Sequence, residues 1–310
     1  VLDSRVDGLL TDESGAVCGI KIGPDQATAG AVVMATGGFG ANPAMLEALY
    51  PNAAANGDWS WYIGTEHAQG DGLTLGQGVG AAIDGHNRGL LLVTPGFSRD
   101  LEVLLPGWLI AVNQAGRRFC NETAPYTVLA GLFKHQGGKI YAVFDEAARA
   151  AAKPNPASQA YWVNEVLERK ADQGIIARAD TLEALAAQCG IQADALKSTI
   201  EHYNVDAEAG EDSKFFKPAA TGMRPIVTPP FYAAEVRPAI ICWTGTGLRI
   251  DADARVIGED EQPIPGLYAA GETVGSLHGD RYIGGGGSYG PCVVFGKLAG
   301  ANAALSSKGN

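Results

Sequence analysis

The N-terminal part of the chain combines short β-type patterns with helix signals. Apolar and polar residues alternate over 4–22, which predicts two strands joined by a turn. A continuous apolar run over 29–36 predicts a buried strand that ends in a glycine turn. Asn42 and Pro43 then form a helix start signal, and apolar side chains at helical spacing predict a further helix over 69–82.

In the middle of the chain, apolar residues recur at helical spacing, and prolines separate the predicted segments. Strands are predicted at 109–113, 139–144 and 231–236, and helices near 145–152, 158–171, 181–189 and 192–204. The C-terminal part returns to a short apolar strand from Ile264 and a helix over 292–305. At 310 residues, the chain is long enough for about two domains.

Charge and composition exclude several classes of function. The 34 acidic residues outnumber the 23 basic ones, and the net charge of −11 argues against nucleic acid or an anionic membrane surface as a partner. No apolar run approaches ~18 residues, so no membrane span is expected. Five cysteines without a C-x-x-C pair are typical of reduced core thiols in a cytoplasmic protein. The histidines lack metal-ligand spacing, so no metal site is expected.

The candidate chemistry is concentrated near the C-terminus. Residues 264–272 read IPGLYAAGE, and residues 278–291 read HGDRYIGGGGSYGP and lead directly into the predicted helix. Glycines allow the backbone to approach a ligand closely, and the N–H groups of a following helix point at the same place. This pattern predicts a cofactor site.

Two further motifs precede this segment in the chain. Residues 31–40 read AVVMATGGFG, a strand that ends in a tight glycine turn, and residues 113–122 read NQAGRRFCNE. Together the three motifs resemble, in the same order, those of the flavoproteins grouped with fumarate reductase and 3-ketosteroid dehydrogenase. The resemblance covers most of the chain.

The resemblance implies an FAD cofactor and a set of residues that bind it. In this family the Gly-Glu strand end lies along the ribityl chain, so Glu272 is expected to accept hydrogen bonds from ribityl or ribose hydroxyls. The backbone of 286–290 is expected to face the flavin carbonyl. The predicted cofactor-binding residues are Thr36, Gly37, Gly38, Gly271, Glu272, Gly287, Ser288 and Tyr289.

The resemblance and the element pattern together predict the domain organisation. The fold class is α/β, with part of a Rossmann-like FAD-binding domain built from residues 1–87 and 237–310. An α+β cap domain of residues 88–236 interrupts it, and the substrate is expected where cap and flavin domain meet. No Gly-x-Gly-x-x-Gly fingerprint precedes residue 36, so a further N-terminal segment or a complementary chain is expected to hold the adenosine pyrophosphate.

Three positions distinguish the chemistries within the family. Where fumarate reductases place a proton-donating arginine, a substrate-clamping arginine and a histidine, this chain has Tyr126, Tyr282 and Trp243. Flat apolar faces with hydroxyl tips suit a neutral, hydrophobic ketone. The tyrosines match those of the 3-ketosteroid 1-dehydrogenases.

The resemblance to the steroid enzymes assigns a role to each group. Tyr126 would be the general base, and Tyr282 with the Gly286 N–H would polarise the ketone as an oxyanion hole does, while hydride passes to flavin N5. Because a phenol titrates near ~10, the base needs a lowered pKa or a hydroxyl relay. His278 and Arg281 complete the predicted substrate pocket.

Two other functions stay open from the sequence. Arg281 lies one residue from the clamp position, so the chain is also compatible with a fumarate reductase or succinate dehydrogenase type of flavoprotein that acts on a small unsaturated acid. The absent dinucleotide fingerprint is compatible with a truncated, non-catalytic flavoprotein chain. The electron acceptor that reoxidises the flavin is not indicated by any motif.

Overall fold

The computed structural model describes residues 1–97, 104–154, 161–278 and 282–306. In chain order its elements are β1 (Gly8–Thr11), β2 (Val17–Ile22), β3 (Asp25–Thr28), β4 (Val32–Met34), α1 (Pro43–Leu49), α2 (Pro51–Ala54), β5 (Trp61–Tyr62), α3 (Asp71–Gln77), β6 (Ile83–Asp84), β7 (Gly89–Thr94), β8 (Ile110–Asn113), α4 (Tyr126–Lys134), β9 (Ile140–Asp145), α5 (Glu146–Ala151), α6 (Asn164–Asp172), β10 (Ala177–Ala179), α7 (Leu182–Cys189), α8 (Ala193–Ala209), β11 (Phe231–Thr244), β12 (Gly247–Leu248), β13 (Arg255–Ile257), β14 (Pro263–Ala269) and α9 (Tyr289–Ser306). The α/β class predicted from the sequence is confirmed.

The chain folds as two compact units. The first unit contains Val1–Leu90 and Ile241–Asn310, and the second unit contains Leu91–Ile240. Both ends of the chain therefore contribute to the first unit.

The first unit contains a parallel strand pair that positions the candidate site. β4 and β14 run parallel, with Val32 opposite Leu267 and Met34 opposite Ala269. β13 pairs antiparallel with the other side of β14. Because parallel strands end at the same edge of a sheet, the glycine turn after β4 and the Gly-Glu turn after β14 lie side by side.

The strand predicted over 29–36 is shorter and less buried than expected. It comprises Val32–Met34, and Val33 is 39% exposed while Met34 is buried. Met34 and the exposed Val33 point to opposite faces of the strand, so only one face of β4 is covered in the described part of the chain. The expectation of a fully buried strand was therefore wrong.

The second unit is built on an antiparallel sheet with the strand order β10-β11-β9-β8. Alternate residues of β9 enter two different cores. Ala142 and Phe144 pack with residues of α4, α5 and α6, whereas Tyr141 and Val143 pack with residues of α7 and α8. Helices therefore cover both faces of this sheet, and every residue of β9 is buried.

A buried network of four charges fixes the loop that carries the Arg-Phe-Cys-Asn-Glu motif. Arg118 donates to Glu122 at 2.8 Å and to Asp212 at 2.6 Å, and Lys217 lies 3.0 Å from the other oxygen of Glu122. Burial alone would raise the pKa of Glu122, but the charges of Lys217 and Arg118 outweigh it and hold that pKa below its usual range. Two positive and two negative charges compensate each other, so the network is neutral.

The structure also tests the expectations about cysteines and membrane segments. All five cysteines are free, and Cys120 and Cys189 are buried. Cys292 is exposed because it lies on an uncovered face of α9, so the prediction of a core thiol is wrong there. Within the described ranges, no helix has the length and apolar character that a membrane span requires.

We expect Glu122→Gln to destabilise the protein by about 3–5 kcal/mol, because it leaves the buried Lys217 without a compensating carboxylate, while Arg118 keeps its ion pair with Asp212. Urea unfolding at pH 7 measures this as a lower midpoint. Glu183→Gln is the matched control, since Glu183 and Lys197 form an exposed pair whose loss costs under about 1 kcal/mol. Equal midpoints for the two variants would show that the network does not stabilise the fold.

Candidate active site

The centre of the candidate site in the first unit is the carboxylate of Glu272. It follows β14 in the short 3-10 turn Gly271–Thr273. Its Oε1 atom accepts hydrogen bonds from the backbone N–H and the hydroxyl of Thr244, both at 2.9 Å. No described cationic side chain pairs with it, and burial raises its pKa although the Thr244 hydrogen bonds act in the opposite direction. Its second oxygen has no partner among the described residues, so it is available to a hydroxyl donor.

The glycine turn after β4 packs directly against this carboxylate. A Cβ atom at Gly38 would overlap the Thr244 hydroxyl and Glu272 Oε1, so only glycine allows this approach. Gly37 has a φ of 72°, and the space beside it is open. The Thr36 hydroxyl lies 3.2 Å from that of Thr273. The structure thus brings the predicted residues Thr36, Gly37, Gly38, Gly271 and Glu272 together.

Three aromatic rings form a second group in the first unit. Trp243 at the end of β11 meets His278 edge to face, with ring centroids 4.9 Å apart, and the rings of His278 and Tyr282 are 5.5 Å apart. Trp243 is largely buried, and burial lowers the pKa of His278. The His278 imidazole is therefore favoured in its neutral form. The structure thus brings together Trp243 and His278, predicted for the substrate pocket, and Tyr282, predicted to polarise the ketone.

The hydroxyl of Tyr282 is tied to the start of α9. Its oxygen accepts a hydrogen bond from the backbone N–H of Ser288 at 3.2 Å and lies 3.3 Å from the Ser288 hydroxyl. Gly286 has a φ of 83°, its carbonyl accepts from the N–H of Tyr289, and its own N–H has no partner among the described residues. Gly287 is half-buried, and Tyr289 is 73% exposed. The loop therefore presents one phenol and one backbone donor.

The remaining predicted residues lie elsewhere or outside the described ranges. Tyr126 is the first residue of α4 in the second unit, directly after Pro125, and is half-buried. Arg281 belongs to 279–281, which lie outside the described residues. In the described part of the chain, no group of three His, Cys, Asp or Glu side chains could hold a metal ion.

The sequence reasoning missed Tyr62. Its ring occupies the space beside Gly40 and Gly64, where a Cβ atom would overlap it. Burial and the charge of Glu272 raise the pKa of Tyr62 to about 12, so the phenol stays protonated near the carboxylate. The only signal in the sequence was Gly40, the last glycine of the GGFG turn. A glycine there allows a bulky side chain to approach the backbone, but the sequence does not show which residue does so.

We expect Gly38→Ala to lower the melting temperature by about 3–10 °C, because the added methyl group displaces Glu272 and Thr244 at a cost of about 1–3 kcal/mol. Differential scanning calorimetry measures the shift. Gly300→Ala is the control: the space beside this α9 glycine is open, and alanine is the better helix former there. A Gly38→Ala protein as stable as Gly300→Ala would contradict the close packing at this turn.

Comparison with known proteins places the chain in a family. The FAD binding domain family matches residues 3–288. The chain is 35% identical to the NADH:acrylate oxidoreductase of Vibrio harveyi, over 98% of this chain and 30% of that protein. It is 31% identical to the fumarate reductase (cytochrome) of Shewanella frigidimarina, over 100% of this chain and 52% of that protein.

A solved structure gives the same result. The 3-ketosteroid Δ1-dehydrogenase from Sterolibacterium denitrificans, in complex with 1,4-androstadiene-3,17-dione, matches with a TM-score of 0.79 and 28% identity, over 98% of this chain and 60% of that one. The chain thus spans 30% to 60% of the length of these three proteins. The chain belongs to the FAD-binding flavoprotein family that includes the fumarate reductases and the 3-ketosteroid dehydrogenases, and its cofactor is FAD.

Proposed function

We propose that this chain is the substrate-handling part of an FAD-dependent oxidoreductase that dehydrogenates, or in reverse reduces, a carbon–carbon bond beside a ketone. The proposed substrate is a 3-ketosteroid or a ketone of similar bulk and hydrophobicity. The observation that carries the proposal is the ring cluster of Trp243, His278 and Tyr282, with the Tyr282 oxygen accepting the Ser288 N–H. Such a cluster offers apolar contact and one hydroxyl donor, which a neutral ketone requires.

The residues of the first unit fit an FAD molecule. Glu272 has one carboxylate oxygen fixed by Thr244 and the other available, which suits the hydroxyls of a ribityl chain or a ribose. Open space lies beside Gly37 in the turn after β4, and beside Gly284 to Gly286 in the loop before α9. Gly271, Gly287, Ser288 and Tyr289 complete the proposed cofactor-binding set. When bound, FAD supplies the hydride acceptor, and an unidentified partner reoxidises it.

The protein side chains would handle the proton and the ketone oxygen. Because the Tyr282 oxygen accepts the Ser288 N–H, its own hydrogen can be donated to the ketone oxygen, and the Gly286 N–H supplies a second donor. Donation to that oxygen acidifies the C–H bond next to the carbonyl. Tyr126 would accept this proton as general base, either as a phenolate or by passing its own proton to a hydroxyl relay, and bound FAD would supply the acceptor for the hydride of the neighbouring carbon. The substrate thereby loses two electrons and two hydrogens and gains a double bond.

A small unsaturated acid is the second candidate substrate. The 35% identity to the NADH:acrylate oxidoreductase of Vibrio harveyi favours it. A carboxylate would need a cation in the pocket. Arg281 is the candidate for that cation. Of the described arginines, Arg88 approaches this region and donates to the Ser276 hydroxyl at 2.9 Å.

We also propose that a segment with the Gly-x-Gly-x-x-Gly fingerprint, from this polypeptide or a complementary chain, completes the FAD site. Two uncovered apolar surfaces of the first unit support this. Val33 of the edge strand β4 is 39% exposed, and Val293 and Val294 of α9 are 57% and 55% exposed. Apolar side chains this exposed on neighbouring elements are typical of a surface that another segment covers. A non-catalytic role of the chain would follow only if no such complement restores FAD binding.

The test is a flavin spectrum of the protein with its N-terminal complement. We expect anaerobic mixing with androst-4-ene-3,17-dione to bleach the bound flavin, because the steroid delivers a hydride to it. If the steroid does not bleach the flavin, but acrylate reoxidises the reduced flavin, the substrate would be a small unsaturated acid and not a ketone. Failure of the complemented protein to bind FAD would contradict both.

We expect Tyr126→Phe to lower kcat about 10²–10⁴-fold with little change in KM, because it removes the proton acceptor and leaves the ring in place. Stopped-flow bleaching of the flavin measures this. Tyr141→Phe in the same unit is the matched control, since that tyrosine belongs to the α7 and α8 core. A Tyr126→Phe enzyme as fast as the control would remove Tyr126 from the mechanism.

A further inference from the structure

A cavity lies in the second unit and contains none of the residues assigned above to the flavin or the substrate. It has a volume of about 360 Å³ and lies between the loop after β8, the middle of α8 and the segment around Lys214. A cavity of this size lies within the range of small-molecule sites. Its walls carry more positive than negative side chains, although the chain as a whole has a net charge of −11.

Two cations at this cavity have no counter-ion among the residues that the structure describes. The guanidinium of Arg117 and the ammonium of Lys214 make no ion pair or hydrogen bond with any described residue, and both line the cavity. By contrast, Arg118 in the same wall is fully engaged by Glu122 and Asp212. The two adjacent arginines of the chain therefore have different roles. Arg118 stabilises the fold, whereas Arg117 is available to a ligand.

The one carboxylate in the cavity wall is already engaged. Asp206 Oδ2 accepts hydrogen bonds from the Ser213 N–H at 3.0 Å and from its hydroxyl at 2.9 Å. The four-charge network beneath the wall is neutral. Arg117 and Lys214 thus face a single carboxylate, and the local charge favours an anion. At physiological ionic strength the Debye length is about 8 Å, so the acidic residues elsewhere on the chain do not cancel this local charge.

The segments that carry the two cations are held in place before any ligand binds. The Thr199 hydroxyl of α8 donates to the Gly116 carbonyl at 2.7 Å, and the Gln192 N–H donates to Gln114, so the Arg117 loop is fixed to α8. The backbone N–H groups of Lys214 and Phe215 donate to Asp212 at 3.3 and 3.2 Å. Because the backbone of both segments is already fixed, binding of an anion would order only the two exposed side chains, at a smaller loss of conformational entropy.

The remaining wall favours a flat organic body. Tyr203 and Phe215 line the cavity, and Arg118 lies 5.2 and 5.1 Å from their ring centroids. Because Tyr203 is buried, the half-buried Phe215 is the ring that a ligand can contact. Ser198 adds a hydroxyl on the same side of α8 as His202, whose Nδ1 lies 2.7 Å from the Ser198 carbonyl. We propose that this cavity is a binding site for a small organic oxyanion, a phosphate or carboxylate carried on a planar apolar body. Arg117 and Lys214 bind the anionic group.

The test is a calorimetric titration of the full chain with phenyl phosphate, benzoate and inorganic phosphate. We expect phenyl phosphate to bind more tightly than inorganic phosphate, because only the former uses the aromatic wall. The order of phenyl phosphate and benzoate then tells whether the site prefers phosphate or carboxylate. Absence of binding by phenyl phosphate and benzoate at millimolar concentration would overturn the proposal.

Matched variants assign the binding to these residues. We expect Arg117→Ala and Lys214→Ala each to weaken phenyl phosphate binding about fivefold, and the double variant about 20-fold. Lys197→Ala, on α8 and paired with Glu183, is the control and should change binding less than about twofold. Because both cations are at the surface, the variants should keep the wild-type melting temperature. Equal binding by the double variant and the control would overturn the assignment.

Discussion

The candidate site depends on one half-buried carboxylate, Glu272, which has no cationic partner among the described residues. Glu272 is held by two hydrogen bonds from Thr244, and the absence of a Cβ at Gly38 leaves room for both side chains. The parallel pairing of β4 with β14 brings the two turns to this point. Burial without a counter-charge raises the pKa of Glu272, which is a cost to the fold. Such a cost is typical of a group that is retained for binding, and ribityl or ribose hydroxyls would satisfy its second oxygen.

In the second unit, by contrast, the buried carboxylates are paired with cations. Glu122 and Asp212 are each compensated by Arg118 or Lys217, and Lys217 also donates to the Leu109 carbonyl at 2.9 Å. With no charge left over, the network is suited to fixing the loops around the sheet rather than to chemistry. In the motif that resembles a family signature, Arg118 and Glu122 therefore stabilise the fold. The residues for which we propose functions are Arg117, within the motif and at the cavity of the second unit, and Tyr126, four residues after the motif.

Sequence patterns predicted the elements whose signals are local. Asn42 caps α1 by accepting the Met45 N–H at 3.1 Å, and the periodicities of α7 and α8 match helices that the structure contains. β3 was missed because its four residues are all exposed and carry no apolar pattern. β11 was expected to end near Val236 but continues to Thr244, since Arg237 and Pro238 obscure its strand pattern. α3 ends at Gln77 rather than near residue 82, because Gly78 and Gly80 follow.

The site residues were harder to predict because their chemistry depends on distant partners. A tyrosine after an arginine does not by itself indicate a catalytic group. In the proposed mechanism Tyr282 is a hydrogen-bond donor because its oxygen accepts the N–H of Ser288, six residues away across a glycine loop. An arginine clamp binds a carboxylate through its own charge, whereas a phenol polarises a ketone only when its hydrogen is directed at the oxygen. Replacing a charged clamp with a phenol therefore requires a loop that orients the hydroxyl. The contact between Tyr282 and Ser288 holds the phenol oxygen in place, and this is the feature of the loop on which the proposed ketone substrate rests.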